Sequence, residues 1–249
     1  MYFSLHTAGF AAITILINNA ASIPTADSLS ARAQCGSGDL DLSKWKLQLP
    51  TGKKDHPTEI STSDLCNGYS SEFFFMRGNA LVMKVPAGQS EGKCVTTKNS
   101  HHCRTELREV KPISWDPNAK VNRLTGDLKV TKNDGEICIG QIHIDDSVSH
   151  KPVAELCYNS KGDLNMGVNT CRECSQKRTP IDHVTKGQRF TYEIRYEGNK
   201  LSVSINGKAF HELSTYDLKA PKSYFMAGNY NQKDVATEVE FYKIHTAHA

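Results

Sequence analysis

The sequence predicts an all-β fold, a two-sheet β-sandwich of jelly-roll type. Three observations point there. Beyond residue 40 the 249-residue chain is a succession of short alternating or apolar runs of strand length. Those runs end in turn-forming residues, and no helical period is sustained beyond a turn or two. So many short strands in a chain of this length bury their apolar faces best when one sheet packs on another.

Taken in order, Trp45-Lys46-Leu47-Gln48-Leu49 alternates apolar with polar residues and stops at Pro50-Thr51-Gly52, the pattern of a half-buried strand ending in a turn. Thr58 to Leu65 is the stretch most readily taken for a helix. Ala80 to Val85 is a short apolar run closed by Pro86. Leu124 to Val130, Glu136 to Ile144 and Val153 to Tyr158 follow, the last two flanking a polar loop from Asp145 to Lys151. Phe190 to Tyr196 and Leu201 to Ile205 are separated by Glu197-Gly198-Asn199-Lys200, and Asn206-Gly207 offers a type I′ turn into Ala209-Phe210. Thr237 to Ile244 closes the set. No linker-like tract and no repeat interrupts this region, so residues 35–249 are expected to form a single domain.

The N-terminus reads as a targeting segment. Ala8 to Ile17 is apolar, shorter than a membrane span, and is followed by the small residues Ala20, Ala21 and Ser22. Residues 1–22 are expected to be a secretory signal peptide and residues 23–34 a short pro-segment ending near Arg32. The eight cysteines agree with export to an oxidising compartment, because all lie beyond the expected cleavage site. About a hundred pairings are open in principle. Proximity in the chain favours Cys94–Cys103, Cys138–Cys157 and Cys171–Cys174, which leaves Cys35 with Cys66. The rival reading of Cys171-Arg-Glu-Cys174, half of a zinc site, lacks a second such pair.

A net charge of +3, with Lys and Arg dispersed, permits a polyanionic ligand without demanding one. No basic arm or nucleic-acid motif is visible, so nucleic acid is not an expected partner.

Chemistry concentrates in three strand-like segments: Arg104-Thr105-Glu106-Leu107-Arg108, Gln141-Ile142-His143, and Tyr224 to Gln232. Side chains alternate between the faces of a strand. Arg104, Glu106 and Arg108 therefore share a face, as do Gln141 and His143, and as do Tyr224, Met226, Tyr230 and Gln232. Each segment alone has a bland reading: a solvated face with ion pairs, a structural histidine, a packed aromatic. Together they offer fixed cations, an amide, an imidazole and a phenol, a set suited to a substrate that carries carboxylates and must lose a proton.

In order, parity and spacing the three segments resemble the signatures of the alginate lyases of polysaccharide lyase family 7. Those signatures are Arg-(Thr/Ser)-Glu-Leu-Arg, Gln-(Ile/Val)-His and Tyr-Phe-Lys-Ala-Gly-X-Tyr-Asn-Gln. Trp45 to Pro50 is similar to that family's opening strand, so the resemblance spans residues 40–245. It implies a jelly roll with a concave substrate groove and a secreted enzyme that cleaves alginate by β-elimination. A uronate lyase removes the proton on C5, α to a carboxylate, and expels the 4-O-glycosidic oxygen, leaving an unsaturated uronate end. The carboxylate must first be neutralised, and the resemblance assigns that to Arg104 and Gln141, with His143 beside them. It makes Tyr230 the acid for the leaving oxygen and, for mannuronate, the base as well. For guluronate, whose C5 proton and leaving oxygen lie on opposite sides of the ring, His143 becomes the base. Arg108 is expected as a subsite contact, Glu106 as an orienter of the arginines, and Tyr224 and Gln232 as further subsite residues. No metal or cofactor and no membrane partner is implied, and a monomer acting on an acidic polysaccharide is expected.

One position departs from the pattern. Met226 stands where the family carries Lys, which removes a groove cation that Lys222 or Lys233 could replace. Ile142 resembles members that accept guluronate blocks. The alternatives are a lyase for glucuronan or another polyuronate, and a non-catalytic lectin on the same sandwich. A lectin would need groove aromatics or a calcium cluster, for which Asp145-Asp146 is the compact acidic pair at hand. A jelly-roll hydrolase would need two carboxylates flanking the bond, and its Glu-X-Asp-X-X-Glu strand motif is absent.

Overall fold

The computed structural model describes residues 1–2, 35–37 and 39–249, so the expected pro-segment and all but the first two residues of the expected signal peptide lie outside the described residues. The strands are β1 (Gly36–Ser37), β2 (Leu40–Asp41), β3 (Trp45–Lys53) and β4 (His56–Ile60), followed by the helix α1 (Thr62–Cys66). Then come β5 (Phe74–Arg77), β6 (Ala80–Val85), β7 (Arg104–Glu109), β8 (Asn122–Lys132), β9 (Glu136–Ile144) and β10 (Pro152–Asn159). The chain closes with β11 (Asp163–Asn169), β12 (Gln176–His183), β13 (Arg189–Glu197), β14 (Lys200–Ile205), β15 (His211–Leu213), β16 (Ser223–Asn231) and β17 (Thr237–His248).

These strands form two sheets. One runs β1-β2-β17-β8-β13-β14-β15, with β6 also on β17 and β5 on β6; the other runs β12-β11-β10-β9-β16-β7-β3-β4. The core lies between them. Leu124, Leu128, Val130, Ile194, Val239 and Phe241 from the first sheet meet Leu47, Leu107, Ile142, Leu156 and Phe225 from the second, all essentially inaccessible to water. Each such side chain contributes about 1.5–3 kcal/mol by leaving water, which fixes the alternation and hence the outward residues.

The stretch expected as a helix splits instead. His56–Ile60 pairs with β3, and only the turn after Ser61 is helical. Ser61 Oγ accepts from Asp64 N, an N-cap that starts the helix four residues later than the apolar spacing implied. Both central residues of the Gly198-Asn199 and Asn206-Gly207 turns have positive φ, as a type I′ turn requires. The chain resumes pairing at His211–Leu213, just past the expected Ala209-Phe210.

Four disulfides join Cys35–Cys66, Cys94–Cys103, Cys138–Cys157 and Cys171–Cys174, the pairing that chain proximity favoured. Two of them bear on the site. Cys138–Cys157 ties β9 to β10, and Cys94–Cys103 anchors the loop before β7. Asp234 holds the same loop by accepting from the backbone N–H groups of Gly88, Gln89 and Ser90. Gly228 lets β16 approach β7 closely: a Cβ there would sit 2.6 Å from the Thr105 carbonyl oxygen.

Candidate active site

β9, β16 and β7 are neighbours in the second sheet, so the three motif strands lie side by side. Their register sets Tyr230 against Arg104, Met226 against both Arg108 and Gln141, and Tyr224 against His143. The outward faces form the floor of a groove of about 490 Å³. Arg104, Gln141, His143 and Tyr230 line it together, and so do Arg108, Tyr224, Met226 and Gln232.

Arg104 is the hub. Its guanidinium lies over the Tyr230 ring, 3.8 Å from the centroid. It donates to Glu106 Oε2 and to Ser100 Oγ, both at 3.1 Å. Glu106 is the one expected site residue that does not line the groove. It is fully buried beneath it and also accepts from Gln141 Nε2, so it orients an arginine and an amide rather than two arginines. Burial drives its carboxyl up to about 7, against the opposing pull of Arg104 and of the Gln141 bond.

Arg108 is engaged elsewhere. Its Nη1 pairs with Asp146 Oδ2 at 2.7 Å, and its Cζ lies 4.0 Å from the Tyr224 ring centroid. Tyr224 donates to Asp146 Oδ1 at 3.0 Å, and its oxygen is 2.9 Å from His143 Nδ1. Asp145, the other half of the acidic pair, accepts from the Ser147 backbone and hydroxyl.

The two proton-transfer candidates are pushed in opposite directions. Burial, with Arg104 and Arg108 nearby, drives the His143 imidazole down to about 4, despite a bond to the Ile144 carbonyl that favours the charged ring. Burial raises Tyr230, and Arg104 offsets this only in part. At neutral pH the site therefore holds a neutral imidazole and a protonated phenol, an available base and an available acid.

Sequence reasoning missed Ser100 and His102, which sit on the tethered loop before β7. Ser100 Oγ is 3.0 Å from the Tyr230 hydroxyl, and the His102 ring meets the Tyr230 ring edge-on at 5.9 Å. No motif marks them; that loop is brought to the groove by the disulfide, by Asp234, by a bond from the Val95 N–H to the Pro50 carbonyl and by an isolated bridge between Thr97 and Asp55. Lys222 and Lys233 are not among the groove-lining residues, whereas Lys46 and Lys151 are. Lys46 is bound to Glu59 at 2.8 Å. Cys171 and Cys174 are bonded to each other rather than poised for a metal.

The sequence profile of the family described as alginate lyase matches residues 40–248. The chain belongs to the alginate lyase family. It is a polysaccharide lyase of family 7, and its closed two-sheet core is that family's jelly roll. An alginate lyase of Klebsiella pneumoniae is 24% identical over 84% of this chain and 89% of its own length. The crystal structure of an alginate lyase from Pseudomonas aeruginosa is 28% identical, with a TM-score of 0.75 over 84% of this chain and all of that one. The family 7 alginate lyase A1-II′, solved as a doubly substituted form with a substrate designated GGMG, is 26% identical with a TM-score of 0.73, over 85% of this chain and 95% of that one. Among the described residues of this family 7 lyase, no helix is long and apolar enough to cross a membrane.

Proposed function

We propose that this lyase depolymerises alginate outside the cell as a monomer, after loss of residues 1–22, by β-elimination within the groove. One observation carries the reading: Arg104, Gln141, His143 and Tyr230 converge on one groove with the imidazole neutral and the phenol protonated. Arg104 and Gln141 bind the carboxylate of the sugar that reacts, which stabilises the charge that builds there as C5 loses its proton. His143 takes that proton, and Tyr230 gives its own to the departing 4-oxygen. Separate acid and base suit guluronate, whose two reacting groups lie on opposite ring faces, so poly-guluronate is the better block. Relatives named alginate lyases, one of them with an oligosaccharide substrate, support the polymer.

The test is absorbance of the new unsaturated uronate on mixing with alginate, poly-guluronate, poly-mannuronate and glucuronan. Alginate should give the signal, fastest from poly-guluronate. No rise with any polyuronate would end the reading, and a rise confined to glucuronan would change the polymer.

The pH profile is a second expectation. The acid limb of kcat/KM should fall near pH 4 rather than near an ordinary histidine's 6.5, because imidazolium has no lone pair and His143 gains its proton only near 4. The alkaline limb, as Tyr230 loses its proton, should lie above the ordinary tyrosine value of 10. Rate measurements from pH 3.5 to 8 decide the first point. Because Glu106 titrates at about 7 beside Arg104 and Gln141, the profile is repeated in Glu106→Gln. A limb near 6.5 that persists there would remove His143 as a base held neutral by burial.

A further inference from the structure

The geometry points to Asp146, a loop residue outside the family motifs, as the positioning residue that keeps His143 in the tautomer with a free Nε2 lone pair. This rests on the reading of His143 as the base and names what prepares it.

The argument is one of donors and acceptors. Asp146 Oδ2 is paired with Arg108 at 2.7 Å, and Oδ1 lies 3.0 Å from the Tyr224 hydroxyl. A carboxylate held by a guanidinium only accepts, so the Tyr224 proton points at Asp146. The Tyr224 oxygen then turns its lone pairs toward His143 Nδ1, 2.9 Å away. Nδ1 also lies 3.0 Å from the Ile144 carbonyl, which likewise only accepts. Two acceptors facing one ring nitrogen place the proton on Nδ1 and leave Nε2 bare. Nε2 is therefore the atom that can take a proton from substrate.

Without Asp146 the hydroxyl is released. Tyr224 is 3% exposed and stays stacked on His143, with ring centroids 5.1 Å apart. It could then donate to Nδ1, which stabilises the opposite tautomer with a proton on Nε2. The Ile144 carbonyl still opposes that switch, so the loss is partial. The fold should tolerate the change, because Asp146 is an exposed loop side chain, 41% accessible.

The experiment combines a double-mutant cycle with ring ¹⁵N NMR on the full chain. Asp146→Ala should lower kcat on alginate about tenfold, less than the roughly 10²–10⁴-fold that a general base contributes because the switch is partial, without raising KM. Long-range ¹H–¹⁵N spectra of His143, recorded without substrate, should change from Nδ1–H toward Nε2–H. Asp146→Glu keeps two acceptor oxygens, one for Arg108 and one for the hydroxyl, and should retain most of the turnover and the Nδ1–H spectrum. In the Tyr224→Phe background, whatever its own rate, Asp146→Ala should cost nothing further, because no hydroxyl remains to turn.

An unchanged Nδ1–H ring in Asp146→Ala overturns the inference. So does a kcat loss that persists undiminished in the Tyr224→Phe background, which would mean the aspartate acts through folding or through Arg108. So does a fall in KM with kcat unchanged, the mark of a carboxylate that merely competes with substrate for Arg108. Wild-type protein inactive on every polyuronate would instead remove the lyase reading, while the substrate-free spectra still report the tautomer.

Discussion

Tyr230→Phe is expected to lower kcat on alginate by about 10²–10⁴-fold, the range spanned by a lost general acid–base group, with KM little changed. The alkoxide leaving group is a strong base and departs poorly without a proton. The phenol is protonated because burial raises it, which outweighs the opposing pull of Arg104 and of the Ser100 hydroxyl 3.0 Å away. Phe keeps the ring on which Arg104 rests, so the guanidinium should stay in place. That retention separates chemistry from packing: the variant should bind alginate oligosaccharides as wild type does, with an unchanged melting temperature. A kcat near wild type would take Tyr230 out of the acid role and leave it as the shelf for Arg104.

Arg104→Ala is the second large effect, and it should appear in both rate and stability. Turnover should drop by about 10²–10³-fold, as when a preorganised donor to a developing anion is removed. Arg104→Lys restores the charge but not the planar fork, so it should fall between wild type and Ala. A rate in Arg104→Ala near wild type would return this arginine to a structural pairing with Glu106.

The stability effect follows from Glu106, which is buried under Arg104 and partnered by it at 3.1 Å. Stranding a buried charge costs of order 3 kcal/mol. Glu106 can escape that cost by taking a proton. In wild type its carboxyl titrates at about 7, against an ordinary 4.5. Between those values the folded chain holds a proton that the unfolded chain has released, so stability falls as pH rises through that window. Loss of Arg104 removes the attraction that favours the charged form and carries the window higher. The deficit of Arg104→Ala relative to wild type should therefore be larger at pH 8 than at pH 6, measured by denaturant unfolding. Equal deficits at both pH values would mean that Glu106 does not carry the penalty.

The strand runs were legible because period-two alternation has one physical cause, a sheet with a wet and a dry face. Glu136–Ile144 and Ala80–Val85 begin and end where the sequence placed them. The Thr58–Leu65 stretch misled because Ile60 faces the core from a strand paired with Leu47, while Leu65 does so from the following helical turn. Two short elements in series had imitated one helical face. β11 and β12 were not recognised. Asp163–Asn169 does alternate, with Leu164, Met166 and Val168 buried, but its other positions are Asp, Asn and Gly, residues uncommon in strands, whereas Gln176–His183 is largely exposed and has no strong period.

At the site, parity was enough to put Arg104, Gln141, His143 and Tyr230 on outward faces, because a side chain's face depends only on its count along a strand. It could not say that Glu106, on the same face as Arg104, sinks below the groove floor. Nor could it show that Arg108 would be taken by Asp146, or that Ser100 would reach Tyr230 from a loop held by Cys94–Cys103 and Asp234. Those are contacts between segments distant in sequence, set by how strands stack and how loops are tethered. The amino-acid order alone determined the fold class, the chemical inventory and which strands carry it. Only the packed structure decided which acid meets which base, and burial then set the protonation of His143, Tyr230 and Glu106, because desolvation depends on surroundings that no single strand contains.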